Sequence, residues 1–546
     1  MENKIDEKKI KKEDIEKLCE LFEKDKVSYN EFMHQCFGTL DKVLSSLYNN
    51  HQLFSTKETS IKKMKNNISY LWNYINSITK EKNKEFYQCL SCIYGSFMGD
   101  AIGVYCEFLK PSKRNQDYIF KGNPQFGDCV GQVTDDSEMA MALAYALMDN
   151  PDYDKINETY LMYYFGAWYL SGPNDIGNAT KQALKGFRFE DYIEMDPSKN
   201  INFKSTIENI SKANQQSLAN GFLMRISPFI VWTYIHYKDK IDEAFNKNIP
   251  DPEKQSKLVE LYNLIKDEAR KNNKITHPNP ETISAAGIFI IMGFGAIYGL
   301  TSKEIIDIIK ILIDSFYFKN EKEEIEIRKF ILDDLDKYSN NKEKPNYFNY
   351  FDVYPQMGYY RHAFRLTIYY LYYFNEYEKD KPIDKIGEEI CNLGGDADTN
   401  AAIVLAVIGP LVGLQKFGKK FYTVFNVLSI DRYMFSPCLM VLFVYHLLES
   451  LNVGKVIHKN LFAKTIMTFL LLKFELKKCD KINSKSDGIT QDAKDLFVAP
   501  DTKNEDLKTK IIPKKQKNQN FIANLFWSNN PGKTNVIGKK KMQIKP

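Results

Sequence analysis

The stretch "LGGDADTNAAIVLAVIGPLVG", Leu393 to Gly413, places two acids behind a double glycine and directly ahead of one of the most apolar segments of the chain. Small and aliphatic residues fill every turn of that segment, so it reads as a helix buried along its length, with Asp396 and Asp398 at its N-terminus. Acids in a first turn favour the helix dipole and Asp is a good cap. A cap alone, however, does not call for a pair of them. A second stretch has the same construction: "GQVTDDSEMAMALAYAL", residues 131 to 147, opens an Ala/Met/Leu helix on Thr134, Asp135, Asp136 and Ser137.

Taken singly, either cluster reads as capping; taken together, they read as a site. Four carboxylates brought close to an interior repel one another and lose hydration unless cations neutralise them. Oxygen donors with threonine hydroxyls beside them, and no neighbouring His or Cys cluster, favour Mg2+ or Mn2+ over zinc, and the chain has no HExxH run. Two ions offset four acids better than one and can orient an oxygen-rich substrate. A third stretch, "GSFMGDAIGVYCEF", residues 95 to 108, repeats glycine every four residues at Gly95, Gly99 and Gly103, which lets a neighbouring helix or a ligand approach the backbone. Within it Asp100 reads as a structural hydrogen-bonding residue, while Glu107, near the end of the helix, is free to reach a cleft.

Around these stretches the chain has the composition of a globular protein, with 546 residues, 44% hydrophobic and 27% charged, so a sizeable core is expected. Apolar residues recur at helical spacing from about residue 86 to 476 and few runs alternate as strands do, which predicts an all-α domain of many packed helices. Residues 1–85 read as a charged helical extension, and residues 477–546 as a low-complexity, disordered basic tail. In that tail Phe521, Leu525, Phe526 and Trp527 could anchor a protein partner, as could the N-terminal helices. Residues 188–205 and 318–350 read as surface excursions between core helices.

The net charge of +5 is small for this length and gives the middle of the chain no nucleic-acid footprint. Nine cysteines without framework spacing favour a reducing, intracellular and cytoplasmic setting, with nuclear or cytoskeletal association left open. Cys89 and Cys92 have CxxC spacing but no second pair, and read as buried thiols. The N-terminus lacks the apolar core of a secretion signal. "ISAAGIFIIMGFGAIYGLT", residues 283 to 301, is uncharged for the length of a membrane span, but its four glycines and three alanines suit a closely packed core helix, so no transmembrane segment is expected.

The three motif stretches, in this order and separation, resemble the ADP-ribosylglycohydrolase family, which includes the dinitrogenase reductase-activating glycohydrolases and the ADP-ribosyl-acceptor hydrolases. "GPNDIGNATKQAL" (172 to 184), "ANGFLMRISPF" (219 to 229) and "THPNPETISAA" (276 to 286) are similar to further segments of that family. The resemblance covers about residues 88 to 450 and implies an all-α fold with two Mg2+ or Mn2+ ions at an ADP-ribose cleft. Carried over by motif, Thr134, Asp135, Asp136, Asp396, Asp398 and Thr399 would be the metal ligands. Glu107 and Asp175 would be the catalytic carboxylates, in roles left unranked, and Asn220, Gly221, Arg225 and His277 would shape the cleft and hold substrate. Ser137 stands where the family often has threonine, Ala219 where glycine is usual, and the bulk of Phe222 and Leu223 would narrow the cleft. The implied activity is hydrolysis of the glycosidic bond between ADP-ribose and a modified protein side chain or related acceptor. A scaffold subunit that keeps the fold within a larger assembly is the competing reading.

Overall fold

A computed structural model of the chain describes residues 83–113, 131–150, 155–170, 172–187, 214–318, 321–341 and 343–417, with a few positions between 440 and 448. The extension up to residue 82, the insertion at 188–205, the tail and its aromatic cluster lie outside the described residues. The helices run in the order α1 (Asn83–Gly103), α2 (Asp135–Asp149), α3 (Glu158–Leu170), α4 (Asn178–Leu184), α5 (Ser227–His236), α6 (Lys238–Ala244) and α7 (Asp251–Asn273). They continue as α8 (Pro280–Tyr298), α9 (Ser302–Asp314), α10 (Lys322–Asn340), α11 (Tyr347–Tyr350), α12 (Tyr360–Tyr373), α13 (Ile383–Asn392) and α14 (Ala397–Val412). Among the described residues no strand is present, so the fold is all-α as expected; one antiparallel bridge pairs Ala219 with Tyr359.

The central axis is the antiparallel pair α1 and α14. A Cβ on Gly103 would lie 2.3 Å from Asp398 Cα, one on Gly99 2.4 Å from the Ala401 carbonyl, and one on Gly95 2.3 Å from the Leu405 oxygen. The four-residue glycine repeat is thus a stripe on which a second backbone lies at less than side-chain distance. It packs a helix rather than a ligand, and it fixes the depth at which Asp100 of α1 and Asp398 of α14 meet.

Helix α8 lies inside the bundle, touching α1, α5, α7, α9, α10 and α14. Its N-cap Asn279 accepts from Glu281 N, with Pro280 following at the first helical position. Among the described residues two segments, Lys84–Cys106 and Pro280–Tyr298, are long and apolar enough to cross a membrane, and 94% and 89% of their apolar windows are buried within the fold. That burial is what a core helix requires. Cys89 and Cys92 are buried thiols of α1, and burial pushes both well above the ordinary thiol range.

The expectation for 318–350 is corrected. Its charged sequence hides apolar residues at helical spacing, and Ile327, Ile331, Leu335 and Tyr338 of α10 are buried against α8 and α12. Two acids on the same helix are buried with partners: Asp334 takes both Nε and Nη2 of Arg365 at 2.7 Å, and Glu324 accepts from Tyr262 at 2.7 Å and Lys266 at 2.8 Å. The segment is a structural wing of the domain.

Candidate active site

Asp100 organises the first acidic cluster. Its Oδ1 accepts from Thr134 N (3.1 Å) and Thr134 Oγ1 (3.0 Å), and its Oδ2 from Thr134 N (3.0 Å), Ser137 N (3.1 Å) and Ser137 Oγ (2.6 Å). These bonds hold the start of α2, where Thr134 is the N-cap and accepts from Asp136 N. Asp100 is the structural residue expected, and the serine at 137 keeps the hydroxyl that this clamp uses. Asp135 is held separately: its Oδ2 accepts from Gly177 N at 3.1 Å, on the loop that carries Asp175.

The second cluster depends on the double glycine. Gly394 and Gly395 both adopt left-handed backbone, at φ +66° and +69°, which side chains other than glycine rarely take. A Cβ on Gly394 would sit 2.1 Å from the Leu109 oxygen. Gly395 donates to Leu109 O (2.9 Å) and accepts from Phe108 N (2.6 Å), so the turn does more than enter α14. It is stitched to the segment that carries Glu107 and brings that carboxylate beside Asp396 and Asp398.

The two clusters meet directly. Thr399 Oγ1 donates to Asp136 Oδ1 at 3.1 Å. Carboxylate oxygens of Glu107, Asp396 and Asp398 lie within 4.8 Å of one another, as do those of Asp100, Asp136 and Asp398. The two groups share Asp398. Asp100 has its oxygens occupied by five donated bonds, so its place in the second group is that of a brace. Glu107 Oε2, Asp136 Oδ2 and Asp398 Oδ1 are buried with no hydrogen-bond partner.

Such an arrangement is costly without cations. Burial, then the charges of Asp175, Asp396, Asp135 and Asp100, push Glu107 up to about 10. Asp100 is pushed up to about 6 by burial, against the bonds from Ser137 and Thr134. Burial also raises Asp135, Asp136 and Asp398 well above the carboxylate range, and raises Asp175 and Asp396. An all-oxygen donor set with buried, unpartnered oxygens fits a hard divalent cation.

The expected substrate residues divide. Asn220 reaches the acids: its Nδ2 donates to Asp396 Oδ2 at 2.7 Å, and its own N–H is held by Gly358 O at 2.9 Å beside the Ala219–Tyr359 bridge. Gly221 lies against His277, where a Cβ would come within 3.0 Å of Nε2. Arg225 is fully buried under the Phe165 ring at 4.6 Å and donates to Thr276 Oγ1 at 2.8 Å, so it stands behind His277 instead of facing the cleft. Phe222 and Leu223 are also buried in the core, with Phe222 against the His277 and Tyr360 rings. The loop at 351–359 was missed: a Cβ on Gly358 would lie 3.6 Å from Asp396 Oδ2, and one on Gly395 3.0 Å from Val353 O. The sequence "PQMG" signals a turn there but nothing about its neighbours.

A family model described as ADP-ribosylglycohydrolase matches residues 82–423. A putative ADP-ribosyl glycohydrolase of Acanthamoeba polyphaga mimivirus is 25% identical over 357 residues, covering 64% of this chain and 93% of that protein. The ADP-ribosyl-(dinitrogen reductase) glycohydrolase of Rhodospirillum rubrum is 28% identical over 107 residues, 19% of this chain and 35% of that one. A solved chain from an "ADP-ribosylglycohydrolase-related protein complex" aligns over 67% of this chain and all of its own, at 17% identity and a TM-score of 0.43.

Proposed function

Because the chain belongs to the ADP-ribosylglycohydrolase family and is thereby a hydrolase of ADP-ribose linkages, we propose that it uses two Mg2+ or Mn2+ ions to release ADP-ribose from a modified protein side chain or related acceptor. The observation that carries this reading is the pair of oxygen groups sharing Asp398, with three buried oxygens left unpartnered among them. Asp136, Asp396 and Asp398, with the hydroxyls of Thr134 and Thr399, would hold the ions, joined by Asp135, which lies outside both oxygen groups with its Oδ2 held by Gly177 N. When bound, the ions supply Lewis acidity that fixes and polarises ribose hydroxyls and the attacking water.

The chain's own residues do the rest. Asp100 sets the direction of the Thr134–Ser137 turn, and the Asn220 amide keeps Asp396 Oδ2 from swinging out of place. Glu107, ionised once cations offset the burial and neighbouring charges that raise it, would take the water's proton as the glycosidic bond opens through an oxocarbenium-like state, and that proton would pass to the departing acceptor. Asp175, half-buried on the loop tied to Asp135 and the largest of the charges that raise Glu107, would be the second carboxylate of the reaction.

The test is release of ADP-ribose from mixed ADP-ribosylated proteins by the purified chain, with Mg2+ or Mn2+ and with chelator, beside an Asp396→Asn, Asp398→Asn variant. Metal-dependent release that the variant loses is expected. Absence of both release and ADP-ribose binding would favour the scaffold reading.

A further inference from the structure

Behind the cleft a buried chain of polar groups ends on an unpartnered nitrogen. Arg225, completely buried, lies over Phe165 and donates from Nη2 to Thr276 Oγ1 at 2.8 Å. Thr276 Oγ1, also buried, lies 2.9 Å from His277 Nδ1. The His277 backbone is pinned on both sides: its N–H donates to Asn273 O at 2.6 Å, and its carbonyl accepts from Thr282 Oγ1 at 2.9 Å. Nε2 is buried and has no hydrogen-bond partner, and Gly221 lies beside it, with Thr180 Oγ1 3.6 Å from where a Cβ on that glycine would stand.

Hydrogen accounting decides the tautomer. A guanidinium donates and never accepts, so the Arg225 bond uses a lone pair of Thr276 Oγ1. If Nδ1 carried the imidazole proton it would donate to the same oxygen, and both the threonine's own proton and the Nε2 lone pair would be left unused in the interior. With Nδ1 as the acceptor the threonine proton is used, and the Nε2 proton is the one group left over, for a ligand to take up. The neighbouring Arg225 charge and burial both disfavour a second proton, with burial the larger influence, and hold His277 down to about 3.

We propose that Arg225 and Thr276 are positioning residues that fix His277 as a neutral imidazole with its proton on Nε2, presenting one donor beside Gly221 to an oxygen of the bound ligand. Only the ligand half of this rests on the ADP-ribose reading; the tautomer stands on the buried chain alone. The absence of a side chain at Gly221 is then required, because a Cβ there would press on the imidazole, 2.7 Å from His277 Cε1 and 3.0 Å from Nε2.

The test is nitrogen NMR of the full chain labelled at its seven histidines, with His277→Gln identifying the resonance, in wild type, Thr276→Val and Thr276→Ser. Expected in wild type and the serine variant is an unprotonated Nδ1 and a protonated Nε2, a preference that the valine variant loses. ADP-ribose affinity measured by calorimetry is expected to fall about tenfold in the valine variant and to be restored by serine. A proton on Nδ1 in wild type, an unchanged tautomer in Thr276→Val, or unchanged affinity in that variant would each overturn the proposal. If wild type binds no ADP-ribose, the functional reading fails, while the imidazole spectrum still decides the tautomer.

Discussion

At the scale of single residues, the site separates groups that could touch a cation from groups that aim them. Asp100 belongs to the second kind, since its oxygens are spent on Thr134 and Ser137. Asp100→Asn would replace one accepting oxygen with a donor facing N–H groups, and Mg2+ affinity by calorimetry is expected to fall about 10–100-fold with the fold retained. Asn220→Ala removes the bond to Asp396 Oδ2 and is expected to weaken Mg2+ binding to a smaller degree, while Asn220→Asp, which sets a carboxylate against a carboxylate, should be worse than alanine. Both acidic helix starts were legible from sequence because their motifs are local, whereas Asp175 was named only through the family resemblance. The partners of Asn220 and Arg225 were not, because each bond joins segments far apart in the chain, residue 220 to 396 and residue 225 to 276.

At the scale of elements, the glycine stripe of α1 sets the position of α14 and therefore of Asp398. Gly99→Ala would place a methyl 2.4 Å from the Ala401 carbonyl, and an overpacking cost of about 1–3 kcal/mol is expected in chemical denaturation. Gly186→Ala, where a Cβ meets nothing within 4 Å, is the matched control and should change stability little. Ile331→Ala tests the wing: a fully buried side chain of α10 should cost about 2–5 kcal/mol on removal, which a surface excursion would not. The stripe was readable as a close-packing motif, but its occupant was not. The α10 wing was misread because its many charges masked three aliphatic residues four apart, Ile327, Ile331 and Leu335.

At the scale of the whole molecule, the gathered acids link stability to both pH and metal. Glu107 is pushed up to about 10 in the folded chain, so the metal-free folded state binds more protons there than the unfolded state does. This contribution is fully present below the ordinary carboxylate range and is lost as pH rises from that range toward 10. Thermal melts of metal-free protein are therefore expected to show stability falling between pH 5 and 8 by the site's contribution, with Glu107→Gln flattening the trend. Added Mg2+ should raise the melting temperature more at pH 8 than at pH 5, because cations favour the ionised acids.

The sequence by itself determined the helical class, the family and the local composition of both acidic helix starts, because periodicity, caps and glycine spacing act between near neighbours in the chain. Tertiary structure alone decided which oxygens converge on Asp398 and that Glu107 joins them through the Gly395 turn. It also decided that Arg225 and His277 meet through the hydroxyl of Thr276. Those outcomes depend on the depth at which α1 and α14 pack and on hydrogen bonds between distant segments, and no local pattern encodes either.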